Sequence, residues 1–176
     1  PAVTEFRGKW YLLGHSMGSL AARSYLKRYD NALAGLLICG SPAYNPLSGY
    51  GRAMTGLMED LGMGHMRPRV IHKLMSAELN HEFKAEGPQA WTCSDPQVRE
   101  RFRNDKKCNI TITADCSLTL LQMMKETYSK KGWHTANPSL PVLFISGTED
   151  PCMIDIPHFH RSAGFLNKVG YTNVSS

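Results

Sequence analysis

The sequence has no C-x-x-C pair, no apolar run near the ~20 residues of a membrane span, no signal-peptide pattern and no long basic stripe. Each absence removes a class. Without paired cysteines there is no zinc ribbon or thioredoxin-like redox motif. The five cysteines, Cys39, Cys93, Cys108, Cys116 and Cys152, are odd in number and widely spaced. Such a set suits a reducing compartment with idle thiols, so the expected location is the cytoplasm. Lys and Arg number 20 against 15 Asp and Glu. The densest basic stretch, Arg99 to Lys107, is short and is interrupted by Glu100 and Asp105. It reads as a solvated helix face, and no nucleic-acid partner is expected. The chain opens on Pro1 rather than Met, so the expectation is that a preceding segment has been lost or removed.

What is present is a hydrophobic content of 42% with only ten prolines, the balance of a folded domain with a buried core. Lys9 to Leu13 is a short β-leaning run stopped by Gly14. Met17 to Tyr29 reads as a helix, with Leu20, Ala21, Ser24 and Tyr25 near one face and Arg23, Lys27 and Arg28 on the other or near its end. Leu33 to Cys39 is a second apolar run, closed by Gly40-Ser41-Pro42. Strand, helix, strand is the βαβ unit that a parallel sheet requires. From Ala43 to about Cys116 the rhythm changes to helical pieces broken by Gly62, Gly64, Pro68, Gly87, Pro88 and Pro96, which reads as an inserted layer. Ser117 to Lys131 then has helical spacing, with Ser117 as N-cap and Gly132 past the end. Pro141 to Ser146 is the most strand-like run, a helix is expected from about Pro157 to Val169, and a short β-leaning stretch follows Gly170-Tyr171. Three segments result: core over 1–42, insertion over 43–116, core over 117–176.

The chemistry centres on Gly14-His15-Ser16-Met17-Gly18. G-x-S-x-G alone is weak, since it arises by chance in on the order of one chain in twenty of this length. Its context is specific: an apolar strand turns into a helix here, the setting of a nucleophile elbow. A sharp turn forces a strained backbone on Ser16 and brings chains close, so glycines are expected on both sides. The helix then aims its first N–H groups at the site, with Met17 N–H as one oxyanion donor. The bland reading is that Ser16 only caps the helix. His15, on the turn itself, is expected to shape the acyl or alcohol pocket.

Asp150 follows the strand-like run 141–146, and in a parallel sheet ligands sit beyond the carboxyl ends of strands. Ser16 and Asp150 are therefore expected on one rim. Glu149 is the competing carboxylate, and an Asp-Pro turn is the bland reading of Asp150. His158 and His160 read as helix-surface residues. A metal pair with Asp155 lacks a third clear partner, so no metal site is assigned.

These residues resemble a known family, the α/β-hydrolase monoacylglycerol lipases and lysophospholipases that are grouped by sequence with serine aminopeptidases. The resemblance rests on Leu13 to Ser19, on Gly40-Ser41-Pro42, and on Pro141 to Pro151, with Trp91-Thr92 and Asn109 to Thr113 similar to segments of the lysophospholipase-like cap. It implies an α/β-hydrolase fold with a helical cap insertion and incomplete at both ends. It further implies Ser16 as nucleophile, Asp150 as triad acid, Met17 N–H in the oxyanion hole and residues 43–116 as a lid over the acyl pocket. By the same resemblance the early strands and the second oxyanion donor would lie before Pro1, and the triad histidine beyond Ser176. The expected activity is hydrolysis of carboxylic esters of small-molecule or lipid type through an acyl-enzyme, with no cofactor. A peptidase or thioesterase of the same fold and a non-catalytic fragment are the alternatives. In the lid segment, Met54, Met58, Met63, Met66 and Met75 suit a pocket for varied acyl chains or a small core of their own, and Trp91 and Trp133 share that ambiguity.

Overall fold

A computed structural model describes residues 8–45, 48–108 and 110–176. Asn109 of the cap-like segment and the side chain of Met75 therefore lie outside the described residues. Two compact units divide the chain: Pro1–Asn45 with Met123–Ser176, and Pro46–Gln122.

The first unit holds a four-stranded sheet of β1 (Tyr11–His15), β2 (Gly35–Cys39), β3 (Val142–Ile145) and β4 (Val174–Ser175). All neighbours are parallel and the strand order is β1-β2-β3-β4. The helices are α1 (Met17–Tyr29), α2 (Ser48–Asp60), α3 (Arg69–Leu79), α4 (Pro96–Asn104), α5 (Ala114–Thr127) and α6 (Ile156–Lys168). When parallel strands follow one another in sequence order, every crossover steps the same way, and right-handed crossovers then place the connecting helices on one face. Burial follows that rule. Leu36, Ile38, Val142 and Phe144 share one core with Ala22 and Leu26 of α1 and Ala163 and Leu166 of α6. The alternate residues point to the other face, where Leu13 is 63% exposed and Ile145 47%.

The core-facing stripe of α1 differs from the one expected. Its i, i+3, i+4, i+7 positions are Ser19, Ala22, Arg23 and Leu26, all buried, and Lys27 is buried beside them. Ala21 and Tyr25 instead line an apolar groove of about 430 Å3 that they share with Trp10, Tyr11 and Leu13 at the edge of β1. Lys27 is accepted inside because its ammonium donates to the carbonyls of Glu126, Ser129 and Lys131, where α5 ends, and lies over the Trp133 ring. A cation there offsets the unpaired carbonyls of a helix C-terminus. Burial holds the Lys27 pKa below its ordinary value. Trp133 itself packs edge-on against Phe165 and Tyr171, a core role. Tyr171 donates to Asp30, and burial together with that carboxylate pushes its phenol well up.

Two helix readings are corrected. α5 begins at Ala114, and Ser117 lies inside it with Oγ donating back to the Thr113 carbonyl; the side chain that caps its start is Thr113, which accepts from Cys116 N–H. Arg99 is not on a solvated face. It is buried and paired with Glu86 at 2.7 Å, although the rest of the basic stretch is mostly exposed. In the second unit, Met54, Met63 and Met66 are exposed rather than packed in a core of their own. Among the described residues, no helix is long and apolar enough to cross a membrane.

Candidate active site at the carboxyl ends of β1 and β3

Ser16 sits between β1 and α1 with φ 52° and ψ −122°. A non-glycine residue in that region is uncommon and costs of order 1–3 kcal/mol, so the surrounding structure must impose it. The imposing contacts are visible. Ser16 N–H donates to Cys39 O at 3.0 Å, which extends the β1–β2 ladder to the turn. Ser16 O accepts from Ser19 N–H at 2.9 Å and from Ser19 Oγ at 2.6 Å. The Ser16 side chain makes no capping hydrogen bond to α1, contrary to the bland reading of this residue.

Gly14 is required by space. A Cβ there would lie 2.5 Å from Gly18 O and 2.8 Å from both Ala22 Cβ and Ser19 Cα. Helix and strand meet at this point without room for a methyl group. Gly18 is different from the expectation: among the described residues a Cβ on it would meet nothing within 4 Å. The close-approach argument therefore holds on one side of the serine and not the other. Met17 is about half exposed at the first position of α1.

Asp150 closes the loop after β3 and is partly buried, whereas Glu149 is exposed. Its Oδ1 accepts from Cys152 N–H at 2.9 Å, so it does cap the turn Pro151–Met153. Its Oδ2 accepts from Ser146 Oγ at 2.7 Å. The carboxylate is thus fixed by two donors, one on each oxygen. Burial, with the Asp150 charge beside it, pushes the Cys152 thiol up to about 12.

Between the two candidate residues stands Gly40, at the end of β2, with φ +53°. A Cβ at Gly40 would lie 3.3 Å from Asp150 Oδ2 and 3.3 Å from His15 Nε2. The Asp150 carboxylate and the His15 imidazole thus approach one point at the strand ends. Gly40-Ser41-Pro42 marks a strand end in the sequence, but the positive φ of Gly40 and its place between the two strands do not show there.

The two histidines that follow Asp150 have partners of their own. His158 Nδ1 lies 2.6 Å from Asp155 Oδ1 and 3.1 Å from Arg161 Nη2. Asp155 also caps α6 by accepting from His158 N–H, and these bonds lower its pKa. His160 Nδ1 lies 3.1 Å from Ser176 Oγ.

Comparison with known proteins places the chain in a family. The sequence profile described as "Serine aminopeptidase, S33" matches residues 2–169. No curated protein matches the chain. Among solved structures, a thermostable carboxyl esterase from Bacillus coagulans, solved with glycerol, superposes with a TM-score of 0.81 at 23% identity, covering 97% of this chain and 56% of the esterase. A lipase in its open form gives 0.78 at 19% identity, covering 97% of this chain and 56% of the lipase. A monoacylglycerol lipase from Paleococcus ferrophilus gives 0.63 at 14% identity, covering 99% and 59%. The chain spans little more than half the length of each of these structures, and at such identities the likeness shows a shared fold. A parallel sheet with helices, matched by these structures and by a profile over nearly the whole chain, is that of the α/β-hydrolases; the chain belongs to the S33 serine aminopeptidase family.

Proposed function

We propose that the protein is a serine hydrolase of carboxylic esters, acting on small-molecule or lipid-like substrates, with Ser16 as nucleophile and Asp150 as triad acid. The observation that carries this reading is the backbone of Ser16: a serine held at φ 52° on a strand-to-helix turn, its side chain not used as a cap. In this reading Ser16 Oγ attacks the ester carbonyl carbon and passes its proton to a histidine that follows Asp150 in chain order, as the Ser, Asp, His order of the fold implies. The new oxyanion accepts from Met17 N–H. Collapse of the tetrahedral intermediate expels the alcohol, which takes the proton, and leaves an acyl-enzyme that water hydrolyses. Asp150 Oδ2 orients the imidazole, and the bonds from Ser146 and Cys152 keep that carboxylate in place. The lid role of residues 43–116 belongs to the same proposal. Changing Met54, Met63 and Met66 to Gln should then alter the dependence of KM on acyl-chain length.

The family description favours a second reading, in which the scissile bond is an N-terminal peptide bond. The test is a fluorophosphonate probe followed by two chromogenic substrates, a p-nitrophenyl ester series and aminoacyl p-nitroanilides. Labelling of Ser16 with turnover of the esters supports the proposal. Turnover of the anilides alone moves the function to the peptidase, and a folded protein that never labels refutes the enzyme.

A further inference from the structure

We propose that Arg23, Ser41 and Ser19 form a buried hydrogen-bond relay that aims Met17 N–H at the developing oxyanion. The inference rests on the reading of Ser16 as nucleophile, and adds three positioning residues to it. The relay starts at a guanidinium. Arg23 Nη2 donates to Ser41 Oγ at 2.7 Å, Ser41 Oγ lies 3.0 Å from Ser19 Oγ, and Ser19 Oγ donates to Ser16 O at 2.6 Å. Hydrogen counting sets the direction. Each hydroxyl has one proton. Ser19 gives its proton to Ser16 O over the shorter distance, so Ser41 donates to Ser19, which is closer than the other acceptor of Ser41, Pro42 O at 3.4 Å. Every bond in the chain then points towards the Ser16 carbonyl.

That carbonyl is bonded to the nitrogen that matters. Ser16 C=O and Met17 N–H belong to one planar trans peptide unit, so they point in opposite directions and turn together. Fixing the oxygen from below, by Ser19 Oγ and Ser19 N–H, fixes the line along which the N–H is presented. A cation at the head of the chain also polarises each bond after it, which makes the Met17 N–H a better donor.

Outside the relay, Arg23 Nε donates to Ser19 O at 3.3 Å, within its own helix. It is fully buried, its Nη1 has no hydrogen-bond partner, and among the described residues no carboxylate pairs with it. Its guanidinium lies 4.7 Å from the Tyr128 ring centre and 5.8 Å from that of Phe144. A cation buried on aromatic faces is costly compared with an apolar side chain of similar volume in the same place. Packing alone would favour Leu or Met. Ser19 at 0% and Ser41 at 3% exposure keep both links away from bulk solvent.

The experiment uses the intact protein and compares Ser19→Ala, Ser41→Ala and the double variant with the parent. Three quantities are measured: kcat and KM on a p-nitrophenyl ester, the inhibition constant of a trifluoromethyl ketone that forms an oxyanion in the site, and Tm. Complete loss of one oxyanion donor costs ~10²–10³ in kcat, so a misaimed donor should cost about tenfold. The expected result is a kcat about tenfold lower in each single variant, with KM unchanged and the ketone weakened in proportion. The double variant should be no worse than the poorer single, as links of one chain require. Arg23→Lys should retain more kcat than Arg23→Met at equal Tm. An unchanged kcat in a folded Ser19→Ala overturns the relay, as does a loss confined to KM or Tm. If Ser19→Ala does not fold, Ser41→Ala decides by the same criteria. Fluorophosphonate labelling of Ser16→Ala is run alongside: persistence of labelling there refutes the nucleophile reading, and the relay with it. Its loss, together with normal kcat in Ser19→Ala, refutes the relay alone.

Discussion

The ends of β1 and β3 hold their candidate residues by opposite means. At β1 the backbone bears the constraint: Ser16 is strained, α1 begins at once, and Gly14 touches the helix so closely that no Cβ fits. At β3 the backbone is ordinary, with Asp150 at φ −71°, and the side chain bears the constraint through Ser146 Oγ and Cys152 N–H. Gly147 beside it would accept a Cβ without meeting anything among the described residues within 4 Å. A nucleophile must be presented at one point, whereas an orienting carboxylate needs only its direction fixed. The difference in construction matches the difference between the roles proposed for the two residues.

The largest effect that would sharpen this contrast is at the nucleophile. Ser16→Ala should lower kcat on the order of 10⁶-fold and abolish fluorophosphonate labelling with little change in Tm. Next is the acid: Asp150→Asn should cost ~10⁴ in kcat, and Glu149→Gln almost nothing. A larger loss from Glu149→Gln would break the assignment of the acid. Third, Gly14→Ala should destabilise by about 3 kcal/mol or abolish folding, because backbone atoms of α1 would have to move, while Gly147→Ala should change Tm little. Equal melting points for these two variants would break the comparison itself. Smallest is a pH effect at the β3 end. Cys152 has a folded pKa raised to about 12, so the folded state retains a thiol proton that the unfolded chain releases above its ordinary ~8.5. Stability should therefore fall as pH rises from about 8.5 towards 12, and Cys152→Ala should flatten the start of that decline in urea titrations. Iodoacetamide at pH 8 should leave Cys152 unmodified in the folded protein.

The sequence was most legible where periodicity and punctuation agree. α1 runs over the residues that its pattern indicates, and β1, β2 and β3 fall within or one to two residues from their apolar runs. Legibility failed where charge was read as a guide to exposure. Arg23 and Lys27 lie on the inner side of α1 because Ser41 after β2 and the carbonyls at the end of α5 meet them there, and no local pattern encodes those partners. Arg99 failed for the same reason, since Glu86 is supplied by a neighbouring turn. At the site, the positions of Ser16 and Asp150 after two strands were readable, because short apolar runs ending in turn residues mark carboxyl ends. The convergence of Gly40, His15 and Asp150 was not, since it depends on the parallel register that brings Cys39 beside His15 and Ile145.

β2 and β3 are neighbours in the sheet although roughly a hundred residues separate Cys39 from Val142, and loop-closure entropy grows only with the logarithm of length. Relative to a crossover of ~20 residues, a connection of that length costs about 1.4 kcal/mol more, and less when the inserted chain folds into a compact unit of its own. Residues 46–122 form such a unit. A lineage can therefore rewrite them, lengthen them or replace them at small thermodynamic cost, while the strand ends that position Ser16 and Asp150 stay as they are. Under the proposed function, divergence should accumulate between β2 and β3, as changes of substrate range that leave the reaction chemistry in place.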